Sequence, residues 1–98
     1  MKDFLGEVLS VCCDEFGVSE DEVRSTSRRQ ELVYCRKAFC LIVKERLDLK
    51  YQTIGSAINR SVNQVSVSIS KQPTDKYYKF ILLRIRGKID KSIGKLHF

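Results

Sequence analysis

Between Leu49 and Lys71 the chain reads LKYQTIGSAINRSVNQVSVSISK, and the side chains of its second half are of the kinds that read nucleic acid. An Asn amide bonds adenine through two hydrogen bonds, a Gln amide can do the same, and a small apolar group can seat against a thymine methyl. Asn63, Gln64 and Val62 supply those three chemistries, with Ser61 and Ser66 as small polar neighbours. Arg60 before this run and Lys71 at its far end suit backbone phosphates, which position a protein without specifying sequence.

These residues need a rigid support. Ile54 and Ile58 are four apart, as are Val65 and Ile69, and the polar Asn59-Arg60-Ser61 lies between the two pairs. That spacing predicts two short helices, about 51–58 and 61–71, joined by a tight turn: a helix-turn-helix over about 49–71. Gly55 and Ala57 are small enough for the two helices to cross closely. Ser61 with Gln64 three residues on is a capping box, which would occupy the Gln64 side chain.

Further cations precede this unit. A helix over about 28–47 buries Leu32, Cys35, Phe39, Ile42 and Val43, and leaves Arg28, Arg29, Arg36, Lys37 and Lys44 outside that stripe. Its cationic first half opposes the helix dipole, and a bound phosphate would relieve the opposition. The alternative is a set of solubilising charges. Ser27 and Gln30 repeat the capping-box spacing at its start.

Around these elements the periodicity places a first helix over 2–16, with Leu5, Val8, Leu9, Cys12 and Phe16 inward and Gly17 as its stop. Ser19 and Glu22 form a capping box, with Val18 and Val23 as a hydrophobic staple, for a short helix beginning at Glu20. Pro73 ends the fifth helix and Thr74 can cap a sixth, from about 75 to 86 or beyond. Tyr77, Tyr78, Ile81, Leu82 and Ile85 are its inward stripe, with Phe80 and Leu83 either widening the core face or forming a dimer contact. Gly87 and Gly94 predict a loosened, basic tail over 87–98. The sum is an all-α, six-helix bundle with one domain over residues 1–98.

Charge sharpens the reading. The net charge is +6, but residues 1–23 hold one Lys against seven Asp/Glu, while 24–98 hold seventeen Lys/Arg against five. A basic body behind an acidic first segment suits a polyanionic partner. No apolar run is long enough to span a bilayer and no secretory signal is apparent, so a cytoplasmic protein is expected. Cys12, Cys13, Cys35 and Cys40 lack zinc-knuckle spacing, and His97 is the single histidine. Buried thiols in a reducing compartment, and no metal or other cofactor, are the expectation. The glycines near Lys95 lack the spacing of a phosphate loop, and no nucleophile–base set is present, so an enzyme is not expected.

In order and spacing, FGVSEDEVRSTSRRQELV, CRKAFCLIVKERL and LKYQTIGSAINRSVNQVSVSISK resemble the C-terminal DNA-binding domain of the bacterial replication initiator DnaA, from about Val8 to Ile85. The resemblance implies a Trp-repressor-like fold and binding to double-stranded DNA. It places Ser61, Val62 and Asn63 where the family has an Asp-His-Thr-like base-reading run, and Arg60 on its turn arginine. The family's minor-groove arginine falls on Tyr34, its phosphate-contacting basic residues on Arg36 and Lys37, and a helix-capping Ser/Thr on Lys50. The changed base-reading positions imply a site other than the usual DnaA box. With no ATP-binding loop, the chain is expected to be a stand-alone relative if complete, or the tail domain of a longer protein if cut from one, with Met1 weakly favouring the first; either is expected in the bacterial nucleoid, in replication initiation or its regulation. Bases would then be read by Ser61, Val62, Asn63, Gln64 and Ser66, and phosphates held by Arg28, Arg29, Arg36, Lys37, Lys50, Arg60 and Lys71. The competing expectation is an interaction module that kept the fold, pairing with a replication protein or a second copy through Phe80 and Leu83.

Overall fold

The computed structural model describes residues 4–96, with side chains described to residue 91. Its six helices are α1 (Phe4–Phe16), α2 (Glu20–Arg24), α3 (Gln30–Leu47), α4 (Tyr51–Ile58), α5 (Val62–Ser70) and α6 (Lys76–Leu96). The expected residues 2 and 3 of the first helix lie outside the described part.

The central helix is α3, which packs against all five others. Leu32, Cys35, Ala38, Phe39, Cys40, Ile42 and Val43 are all buried along it. Val8, Leu9, Cys12, Cys13 and Phe16 of α1 cover one flank, and Tyr78, Ile81, Leu82, Ile85 and Ile89 of α6 close the layer beside them. All four cysteines are buried thiols. Burial pushes the Cys40 thiol up to about 12, so it stays protonated at neutral pH.

Local chemistry sets the joints. Gly17, at φ 69°, ends α1, and the Val18 N–H returns to the Cys13 carbonyl at 3.0 Å, the six-to-one bond of a left-handed helix stop. The Ser19–Glu22 capping box forms as its spacing predicts, with reciprocal bonds of 3.0 and 3.1 Å. The Ser27–Gln30 box does not form. The N-cap of α3 is Arg29, without a side-chain cap. The Gln30 amide donates instead to the Tyr34 hydroxyl at 2.6 Å. At α6, Asp75 rather than Thr74 caps the helix, accepting the Tyr77 N–H at 2.8 Å.

Two expectations about α6 change. Tyr77 is not part of the inward stripe: it is half exposed, and only its ring edge meets Phe16. The backbone is also helical past Gly87 to Leu96, because Ile89 continues the buried stripe and Arg46 pairs with Asp90 at 2.9 Å. The expected loosening therefore does not begin at Gly87; residues 97 and 98 lie outside the described part. Phe80 and Leu83 stay 59% and 65% exposed, which removes them from the core face.

Candidate nucleic-acid interface

The α4–α5 turn is held by backbone contact. A Cβ on Gly55 would stand 2.2 Å from the Arg60 carbonyl oxygen, so glycine is what lets the turn fold back onto α4. The Arg60 N–H donates to the Gly55 carbonyl at 2.8 Å. Asn59 takes the left-handed conformation at φ 58°, which asparagine tolerates better than most residues. The Ser61–Gln64 capping box then starts α5, with bonds of 2.9 and 3.2 Å.

Val65 is the one buried residue of α5. With it directed inward, the helical period turns Asn63, Ser66, Val67 and Ser70 to the opposite side. Val62 projects from the first turn at 50% exposure, and Val67 is 47% exposed. Ser66 is half-buried. Val67 is absent from the sequence-based set of base readers, although its spacing four residues after Asn63 was the signal for it.

Beside this face runs an open groove of about 490 Å³. One wall is Asn63, Gln64, Val67 and Ser68 of α5; the other is Val33, Arg36 and Lys37 of α3, with Thr26 and Arg28 of the α2–α3 link and Arg60 of the turn. Four of these ten residues are cations and none is an acid. Thr26, Val33 and Ser68 were not singled out by the sequence, because the groove is made by tertiary packing.

The cations divide into framework and free groups. Arg36 is 7% exposed. Its guanidinium donates to the carbonyls of Val23, Ser27, Glu22 and Ser25 at 2.8, 2.7, 3.2 and 3.0 Å. It is thus held in the framework with its fork turned to the α2–α3 link, whereas a phosphate contact was expected of it; it still lines the groove. Burial, and then the Arg60 charge, make it less basic than an ordinary guanidinium. Arg60 donates to the Ser25 carbonyl at 2.6 Å and to its neighbour's carbonyl, Asn59, at 3.0 Å, yet still lines the groove. Arg24 and Asn59 complete the clamp: Arg24 donates to the Ala57 carbonyl at 3.0 Å, and Asn59 to the Arg24 carbonyl at 3.3 Å.

Arg28 is exposed on the groove wall and makes no ion pair among the described residues. Arg29 is paired with Glu22 at 3.0 Å. The Lys37 ammonium donates to the Lys71 carbonyl at 2.7 Å, which joins α3 to the end of α5 where carbonyls lack partners. Lys71 is exposed at the C-cap of α5. Lys50 is exposed at the N-cap of α4, which has no side-chain cap, and it does not line the groove.

Hydrogen bonding bears on two other expectations. Tyr34 is directed away from the groove: its ring packs on Tyr78 and Phe16, and its hydroxyl donates to Asp75 at 2.9 Å. That carboxylate would repel a phosphate, which weighs against the minor-groove contact expected of Tyr34. Gln64 has given its side-chain oxygen to the Ser61 N–H. Two-point recognition of adenine through Gln64 would require opening the cap, whereas the Asn63 side chain makes no hydrogen bond among the described residues.

Comparison with known proteins agrees with this geometry. The family model described as "Bacterial dnaA protein helix-turn-helix" matches residues 5–71. The chromosomal replication initiator protein DnaA of Ureaplasma parvum serovar 3 is 30% identical over 66 residues, 66% of this chain and 14% of that protein. The protein of the same name from Oleidesulfovibrio alaskensis is 33% identical over 63 residues, 64% of this chain and 14% of that protein. The matched part of the chain thus spans 14% of the length of each of these relatives. With the family match running from α1 through the turn and α5, over more than half of its length, the chain belongs to the bacterial DnaA helix-turn-helix family.

Proposed function

We propose that this chain is a double-stranded-DNA-binding module that inserts α5 into the major groove and seats the adjoining phosphate backbone in the groove between α5 and α3. The observation that carries the reading is the pairing of an uncharged, exposed helix face with a groove holding four cations and no acid. Phosphates supply affinity without sequence information, and base edges supply the rest. Arg28, Lys37 and Arg60 hold phosphates from the groove, with Lys50 and Lys71 as flanking contacts and Arg29 supporting them through its pair with Glu22. Asn63, Val62 and Val67 meet bases; Ser61 and Ser66 lie close enough to the same face to assist. A role for such a module in replication initiation or its regulation, in the bacterial cytoplasm, is supported by relatives named as chromosomal replication initiator proteins. Because Ser61, Val62 and Asn63 stand where the family has its base-reading run, the recognised sequence differs from the usual DnaA box.

The test is selection from a randomised duplex pool, followed by binding of the winners across salt. Enrichment of one motif, with a slope set by roughly four to six phosphates at about 0.9 each, is the expected result. Salt-sensitive binding that enriches nothing would leave a backbone-only binder.

A second reading has its own observation. Phe80 and Leu83 are large, apolar and mostly exposed on α6, which suits a contact with a replication protein or a second copy. It coexists with DNA binding, because α6 contributes nothing to the cationic groove.

A further inference from the structure

The outer face of α5 constrains which bases it can read. We infer that α5 recognises A·T pairs, with Asn63 bonding an adenine and Val62 and Val67 seated against thymine 5-methyl groups. This rests on the DNA-binding reading above and adds the chemical class of the bases.

From Val62 to Ser70 the helix VNQVSVSIS carries no charged side chain. The strong direct discriminators of G·C pairs are Arg or Lys on guanine and Asp or Glu on the cytosine amine. Neither is present on the element that would enter the groove. Of the cations around it, Arg60 is directed to the Ser25 and Asn59 carbonyls and Lys37 to the Lys71 carbonyl, while Arg28 stands on the α2–α3 link across the groove and Lys71 lies past the last turn, at the C-cap. What the helix offers instead is one uncommitted amide and two half-exposed branched apolar groups. In the major groove their complements are the adenine N6/N7 edge and the thymine methyl.

The placement agrees. Val67 follows Asn63 by one helical turn and shares its outward direction, opposite the buried Val65. Side chains so spaced stand about 5–6 Å apart and reach the same or adjoining base pairs. Ser66, before Val67, and Ser70, one turn further on, are short, and the Ser70 hydroxyl is turned back onto the Ser66 carbonyl at 2.9 Å. No long side chain holds the helix off the groove floor, so valine methyls can touch bases there.

The experiment uses the full chain and the winning duplex from a randomised pool, remade with deoxyuridine for each thymine in turn. Uracil keeps the pairing and removes only the methyl. The expected result is an A·T-rich winning core in which uracil at the contacted positions weakens binding about three- to fivefold each, the worth of one buried methyl. Val67→Ala should lower affinity for the thymine duplex by a similar factor and abolish the uracil effect at one position, and Val62→Ala at another, with unchanged circular dichroism. Asn63→Ala should leave the uracil effects in place. A G·C core, or a winner indifferent to uracil at every position, overturns methyl reading while leaving DNA binding intact. Absence of binding at low salt, or of any enrichment, removes the sequence-specific reading beneath it as well.

Discussion

Arg36 and Arg60, one in the middle of α3 and the other in the α4–α5 turn, donate to the same acceptor, the Ser25 carbonyl, at 3.0 and 2.6 Å. Through it the helix-turn-helix is pinned to the α2–α3 link. Arg36→Ala would leave the Val23 and Ser27 carbonyls without their donor and remove one of the two arginines at Ser25, and should destabilise the fold by about 2–4 kcal/mol. Arg36→Lys should rescue little, because a point ammonium cannot fill a planar fork's partners. Chemical denaturation measures both.

Arg28 is the contrasting case. It is exposed on the groove wall, so Arg28→Ala should leave the melting temperature unchanged. It should weaken binding to all duplexes by similar factors and reduce the salt slope by about one phosphate. Fluorescence anisotropy on selected and random DNA reads both effects.

Asn63→Ala should act on discrimination instead. The expected loss is about 1–3 kcal/mol on the selected site and little on random DNA. Equal losses on both would remove Asn63 from the base readers.

Gly55→Ala places a methyl 2.2 Å from backbone that the turn cannot easily move. Overpacking of this kind costs about 1–3 kcal/mol, and more where backbone is the obstacle. The variant should unfold at lower denaturant, and the part that remains folded should bind DNA more weakly because α5 is displaced.

Glu15 gives the fold an acid limit. The residue is half-buried and its carboxylate links α1 to α6, bonded to Arg84 at 2.7 Å and to Lys88. Hydrogen bonds from Arg84 and then Lys88 hold its pKa below the ordinary carboxylate value. The unfolded chain takes up this proton near pH 4.3, the folded chain only at lower pH. The contribution is therefore complete at neutral pH, declines as pH falls through about 4.3, and vanishes below the depressed folded value. Glu15→Gln should melt slightly lower at pH 7, since pairs with half-exposed cations are worth at most about 1 kcal/mol, and the gap to the unmodified chain should close on acidification.

What the sequence made legible was local. The Ser19–Glu22 and Ser61–Gln64 caps, the stripe of α3 and the glycine stop at Gly17 all follow from contacts within a few residues. Ser27 and Gln30 have the same spacing as the working caps and fail, because Gln30 finds Tyr34 instead. Arg36 looked solvent-facing because periodicity counts apolar residues and cannot see carbonyls gathered from another segment. The groove was half legible: its cations stood out as charges, but only tertiary packing separates Arg28, which is free, from Arg36, which is buried. Val67 was hidden by its own chemistry, since valine on a helix is more often core.

The division of labour along α5 also has an evolutionary side. Val65, with Ile69 packed against the core a turn later, anchors the helix inside, while Gly55, Arg36 and Arg60 fix its position from elsewhere. None of Val62, Asn63, Ser66, Val67 and Ser70 is buried, so substitutions there leave the anchoring contacts of α5 in place. On the reading proposed above, a lineage built on this scaffold would change the sequence it recognises by single steps, without rebuilding the support of the helix.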